Sequence, residues 1–361
     1  MSVEADMLKS EVPRLVNRAM EDQIFPGVEI LLAKGESVIF HESYGKIDGS
    51  PGSPELRTNY LFDLASLTKP LATAPAILHA QEQGALNIND KILLYIPELK
   101  SAETKKITIK QLLTHTSGLP DWLPLYEPGF DRLEAWHSLL NVRLQHEPGV
   151  EMVYSCLGYL LLAEVVRRVS KLSLDAYCRR FIFNPLGLNN LVFNPDQDRD
   201  DVVPTAYCPY RQKLLKGVVH DENAFLFQGE GGNSGLFGTA KEIHQFCLML
   251  GNNGAFDGNQ LFSEKTVRLM TENQNSGQVA PRTMGWDFKS SNEVYMSCGK
   301  RMPIGSIGHL GFTGTSIWFD PLSKYLIIIL SNRVNITREA NIPQMMAFRP
   351  EIHELLLSSV M

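Results

Sequence analysis

The chain has 361 residues, 44% of them hydrophobic and 20% charged, enough to bury one large core or two moderate ones. With 34 basic and 40 acidic residues the formal net charge is −6, and no basic stripe carries interleaved aromatics, so nucleic acid is not an expected partner. The five cysteines (Cys156, Cys178, Cys208, Cys247, Cys298) form no CxxC pair and the nine histidines no HExxH or HxH cluster, so neither a disulfide framework nor a metal or cofactor site is expected.

In chain order, the opening MSVEADMLKSEVPRL lacks the basic and apolar regions of a secretory signal. The longest apolar runs, such as Tyr159–Ala163 and Tyr325–Leu330, are too short to cross a bilayer. The expectation is a cytoplasmic protein with no membrane partner. From Leu8 to Gln23, the apolar residues Leu8, Val12, Leu15, Val16, Ala19 and Met20 form one helical stripe, with Ser10 as cap and Pro13 in the first turn. Val28–Ala33 and Val38–Tyr44 read as strands of a hairpin turning at Lys34-Gly35-Glu36-Ser37. The middle carries helical patterns at Leu67–Gln83, Ile109–Leu113, Leu157–Val169 and Ala240–Leu250, and a loop from Gly118 to Phe130 rich in proline and glycine. Asn194–Val219 is polar and aperiodic, as expected of a surface excursion. Thr315–Asp320 and Tyr325–Ser331 read as a second hairpin, and a last helix is expected after Pro350.

Strands at both ends and helices in the centre predict an α+β fold. Residues 1–64 and 251–361 would share one antiparallel sheet flanked by helices, residues 65–250 would form an all-helical insertion, and a cleft would lie between the two.

Three segments carry candidate chemistry. In Asp63-Leu64-Ala65-Ser66-Leu67-Thr68-Lys69-Pro70, Ser66 and Lys69 share a helix face, about 5–6 Å apart at Cβ. A serine hydroxyl needs a base within hydrogen-bond reach, and a lysine becomes one when burial disfavours its ammonium form. Tyr154, opening the run Val153-Tyr154-Ser155-Cys156, is either a core aromatic or a proton carrier. In Gly308-His309-Leu310-Gly311-Phe312-Thr313-Gly314-Thr315, glycines ahead of a strand let backbone approach a ligand, while His309 alone reads as a turn residue.

In this order, SxxK, Tyr-x-x and His-x-Gly resemble the serine β-lactamase and penicillin-binding family, in its class C-like esterase branch. Phe25-Pro26-Gly27, Leu112–Leu119, Val219–Ala224 and Gly235–Ala240 fit the same branch. The resemblance implies a β-lactamase/transpeptidase-like fold. It makes Ser66 the nucleophile, Lys69 its activator and Tyr154 the proton shuttle. His309 and Gly311 stand where the family has its lysine-threonine-glycine motif, and the N–H groups of Ser66 and Phe312 would bind the oxyanion. Cys156 replaces the family's asparagine, and a thiol is a poor hydrogen-bonding substitute for an amide. Cys156 is a second nucleophile or, the blander reading, a small buried apolar residue. His115 reads as a loop residue satisfying local backbone, and Asp221 and Glu222 as a solvated loop rather than a gate or cation site.

The expected activity is a serine carboxylesterase or amide hydrolase acting on small ester, amide or lactam substrates. The changes at Cys156 and His309 disfavour the alternative, a β-lactamase or D-alanyl-D-alanine carboxypeptidase. A catalytically silent binding protein of the same fold is disfavoured because Ser66, Lys69 and Tyr154 are all present. A conventional α/β-hydrolase is disfavoured because no G-x-S-x-G surrounds Ser66.

Overall fold

The computed structural model describes residues 3–99, 101, 103–127, 131–294 and 296–361. Pro128, Gly129 and Phe130 of the expected loop lie outside the described residues. Six antiparallel strands form the main sheet, in the spatial order Asp287–Phe288, Ile307–Leu310, Ser316–Phe319, Tyr325–Ser331, Gly27–Lys34 and Ser37–Gly45. The N-terminal hairpin therefore pairs with the C-terminal one, Ile30 opposite Ile329 and Leu32 opposite Ile327.

The paired strands Gly27–Lys34 and Tyr325–Ser331 carry apolar residues on both faces, as a sheet covered on both faces requires. Ile30, Leu32, Ile327 and Ile329 join a core with the helices Val3–Glu21 and Ile342–Ser358. Leu31, Ala33, Ile328 and Leu330 point the other way, into the larger core that holds Ala74–Glu82, Cys156–Ser170 and Ala240–Gly251. The helix Ala240–Gly251 packs directly on Tyr325–Ser331 and Gly27–Lys34.

Both proline expectations at the chain ends need correction. The first helix begins at Val3 and carries Pro13 in its interior, and the last begins at Ile342 with Pro350 inside it. Each proline removes one i→i−4 bond, and packing of the helix on the sheet outweighs that loss. The segment Asn194–Val219 is also more than a surface excursion. Val202 packs with Leu61 and Phe237, and Cys208, Leu215 and Val218 form a small core of their own.

Candidate active site

The strand Phe62–Asp63 pairs with Leu236–Gly238, and the chain then turns sharply to present Ser66. Ala65 takes φ +48°, a left-handed conformation that costs a non-glycine residue about 1–2 kcal/mol. Side chains from distant segments hold the turn. Ala65 N–H donates to Asp63 Oδ1 at 2.9 Å, and His220 N–H donates to Asp63 Oδ2 at 2.6 Å. Thr313 Oγ1 donates to the Asp63 carbonyl at 2.8 Å and Thr315 Oγ1 to the Leu64 carbonyl at 3.1 Å. Burial pushes the Asp63 carboxyl up to about 6, against the two N–H bonds that favour its charged form.

Ser66 sits in the short 3₁₀ turn Ala65–Leu67, which a π-helical turn over Lys69–Thr73 follows before the chain becomes α-helical at Ala74. Pro70 and Pro75 lack the N–H groups a regular helix would use here. Lys69 is fully buried. Its Nζ donates to Ser66 Oγ at 2.9 Å and to the Asn233 carbonyl at 2.8 Å. Burial lowers its pKa from the ordinary lysine value, with Arg282 adding to the fall and Cys156 and Asp221 opposing it.

Tyr154 closes over the pair, its ring centroid 4.9 Å from Lys69 Nζ, and its hydroxyl bonds to Ser66. Burial raises its pKa well above 10, while the Ser66 bond and Arg282 pull it down. His115 stacks on Tyr154 with centroids 4.6 Å apart and accepts the Ser155 N–H at Nδ1, 2.9 Å. The ring thus ties down backbone 40 residues away, beside the site, rather than the local backbone expected of it.

His309 faces the same ring at 5.8 Å. Its Nδ1–H donates to the Leu310 carbonyl at 2.9 Å, and burial drops its pKa to about 3, so it is neutral. Gly311 spends its N–H on the Thr315 carbonyl at 2.8 Å. A Cβ there would lie 2.0 Å from Thr315 Oγ1 and 2.7 Å from the Leu64 carbonyl, so only glycine allows this turn to meet the turn before Ser66. Phe312 reaches into the cleft mouth, under Arg333 at 4.7 Å and beside His220 at 5.8 Å. Cys156 is a free thiol at the start of its helix, beside Lys69 and Asn233, and burial raises its pKa.

The cleft encloses about 720 Å³ and is lined by Ser66, Tyr154, Cys156, His309, Gly311 and Phe312 together, so the structure brings these site residues to one place, with Lys69 behind them. Asp221 and Glu222 are not a solvated loop. Asp221 lines the cleft and caps the short helix Glu222–Leu226, and Glu222 is buried in an ion pair with Arg338 at 2.7 Å. Sequence reasoning missed Arg282, which is 3% exposed, sits 5.3 Å from the Tyr154 ring centroid and pairs with Asp287. Nothing in Pro281-Arg282-Thr283-Met284-Gly285-Trp286-Asp287 marks it, because its importance comes from the edge of the sheet on which it lies. Among the described residues no group of three or more His, Cys, Asp or Glu side chains is placed to hold a metal ion.

Fold and site together are those of a serine hydrolase. A family model described as Beta-lactamase matches residues 12–345, and the chain belongs to that family. Two curated relatives are the N-acetylmuramyl-L-alanine amidase of Bacillus subtilis (strain 168) and a putative D-alanyl-D-alanine carboxypeptidase of Escherichia coli (strain K12). The first is 29% identical over 92% of this chain and 83% of the relative. The second is 30% identical over 86% and 79%. Among solved structures, EstCE1, a hydrolase with promiscuous acyltransferase activity, superposes with a TM-score of 0.73 at 19% identity, covering 97% of this chain and 100% of its own. Simvastatin Synthase (LovD) from Aspergillus terreus gives 0.73 at 18% identity, covering 100% and 99%. At such identities the solved structures establish the fold alone. Among the described residues no helix is long and apolar enough to cross a membrane.

Proposed function

We propose that the chain hydrolyses small neutral esters or amides through an acyl-enzyme on Ser66. The observation that carries this reading is the fully buried Lys69 Nζ, 2.9 Å from Ser66 Oγ. An amine kept from its ammonium form can take the hydroxyl proton as Oγ bonds to the substrate carbonyl carbon. The N–H groups of Ser66 and Phe312 would receive the resulting oxyanion. Tyr154 would pass its proton to the departing alkoxide or amine and recover one from Lys69. Water then attacks the acyl-Ser66, and the proton path reverses to release the acid. We take the sheet, with Ala240–Gly251 counted in it, as one lobe and the helical segment as the other, with the chemistry where they meet.

A neutral substrate is supported by His309, which carries no charge where the family has a lysine, and by Cys156 in place of an asparagine. Trp122, Phe312, Ile342, Met345 and Met346 add an apolar wall suited to an acyl or alcohol group. A fluorophosphonate probe should label the native enzyme and not Ser66→Ala, and short-chain nitrophenyl esters should turn over. Labelling that persists in Ser66→Ala overturns the assignment.

A second reading, cleavage of peptide-like amides bearing a carboxylate, is supported by Arg333. It lines the cleft, bonds to the Arg338 carbonyl and Asn341 Oδ1, and forms no ion pair among the described residues. The names of the two curated relatives point the same way. Faster turnover of a chromogenic cephalosporin or a D-alanyl-D-alanine peptide than of any nitrophenyl ester would put this reading first.

A further inference from the structure

We propose that Arg282 is a positioning residue for the reaction, supplying opposite the Tyr154 ring the positive charge that His309 does not provide. The inference rests on the reading of Tyr154 as the proton carrier and extends it to a residue outside the three motifs.

The guanidinium of Arg282 is buried, with its central carbon 5.3 Å from the Tyr154 ring centroid. One amino group, Nη1, is paired with Asp287. Nε and Nη2 are buried without a hydrogen-bond partner among the described residues. Two buried, unpaired N–H-bearing atoms are costly, and natural structures retain few of them without a functional reason. Here they lie in the wall of the cleft, next to the group that must exchange a proton.

The groups facing Tyr154 come from every side. Ser66 and Lys69 approach from the nucleophile turn, His115 from the end of Ile109–Leu113, Cys156 from the helix Tyr154 itself leads into, and His309 from the sheet. Tyr159 follows from the same helix as Cys156, its phenol kept protonated by burial, and Arg282 and Asp287 complete the ring of neighbours. Burial keeps both histidines neutral and disfavours charge on Lys69 and Cys156. Arg282 is then the one permanent cation in this set, and Asp287 is the anion that partly offsets it. A phenol transferring its proton acquires negative charge, which a fixed guanidinium stabilises without rearrangement.

The test is the pH profile of kcat/KM for a nitrophenyl ester, measured for the native enzyme, Arg282→Met, Arg282→Lys and Asp287→Asn, with and without Tyr154→Phe. The acid limb reports protonation of Lys69, the partner with which Tyr154 exchanges its proton and whose ammonium form Arg282 disfavours. Loss of the cation should therefore move that limb of Arg282→Met up by about one pH unit, a tenfold change at pH values below the limb. Arg282→Lys should restore most of the shift. Asp287→Asn should move the limb the other way, and it decides the question if Arg282→Met does not fold. In the Tyr154→Phe background, Arg282→Met should cost less than about twofold more, since the two act as a unit. An equal loss of activity at every pH in the Met and Lys variants, or an unmoved limb in Asp287→Asn, overturns the inference while leaving the role of Tyr154 intact. A fully active Tyr154→Phe enzyme instead overturns the parent reading.

Discussion

Replacing Lys69 by methionine separates what the lysine does for chemistry from what it does for stability. Methionine keeps the length and apolar stem of lysine and removes only the amine. In the acyl-enzyme mechanism proposed above, Ser66 without that amine loses its base, and general-base catalysis contributes typically 10²–10⁴-fold, or about 3–5 kcal/mol of barrier. The folded protein should respond in the opposite sense. A buried lysine with a lowered pKa binds its proton less tightly when folded than when unfolded. Native stability therefore rises with pH from the folded pKa toward the unfolded value near 10.4, and below that window the lysine is a burden. Methionine removes the burden and forfeits the bond to the Asn233 carbonyl, worth roughly 1 kcal/mol. Lys69→Met should thus be at least as stable as the native enzyme at pH 7, and it should lack the extra stability the native chain gains toward pH 10. Urea unfolding at pH 7 and 9.5, beside nitrophenyl ester kinetics, reads both effects. Retention of more than a tenth of the activity, or a loss of about 3 kcal/mol of stability at pH 7, refutes the reasoning.

Two further outcomes follow from the turn that holds Ser66. Gly311→Ala forces a Cβ against Thr315 Oγ1 and the Leu64 carbonyl, so kcat/KM should fall at least 100-fold for a stability loss of about 1–3 kcal/mol, read by kinetics and thermal unfolding. Asp63, with a folded pKa near 6 against roughly 3.9 unfolded, binds its proton more tightly when folded, so its contribution to stability declines between about pH 4 and pH 6 by roughly 3 kcal/mol. Asp63→Asn removes that decline, and a stability gap between native and variant that stays constant from pH 4 to pH 7 contradicts it.

The sheet was readable because hydrophobic period and turn chemistry agree in each hairpin, and because the ends of the chain offered strands with no other partners. Helix starts were read less well. The sequence places Pro13 in a first turn and Pro350 ahead of a helix, whereas packing on the sheet carries each helix through its proline. Asp221 and Glu222 looked solvated because an acidic pair in a loop usually is. Glu222 is buried against Arg338, 116 residues away along the chain, and no local pattern announces such a pairing.

The same distance problem explains why Ser66 and Lys69 alone were a weak signal. A serine and a lysine one turn apart are common, and what distinguishes this pair is the closure around it. Lys69 is kept from water by Tyr154 and the Asn233 carbonyl, the latter 164 residues away, and the turn before Ser66 is tied by Thr313 and Thr315 some 250 residues away. Arg349, from the last helix, donates in turn to the Gly311 and Thr315 carbonyls. Tyr154 and Asn233 come from the central segment and Thr313, Thr315 and Arg349 from the C-terminal one, so the amine and the turn before Ser66 are held by separate parts of the chain. Under the proposed assignment, substitutions at Thr313, Thr315 or Arg349 should lower reactivity at Ser66 through the turn that presents it.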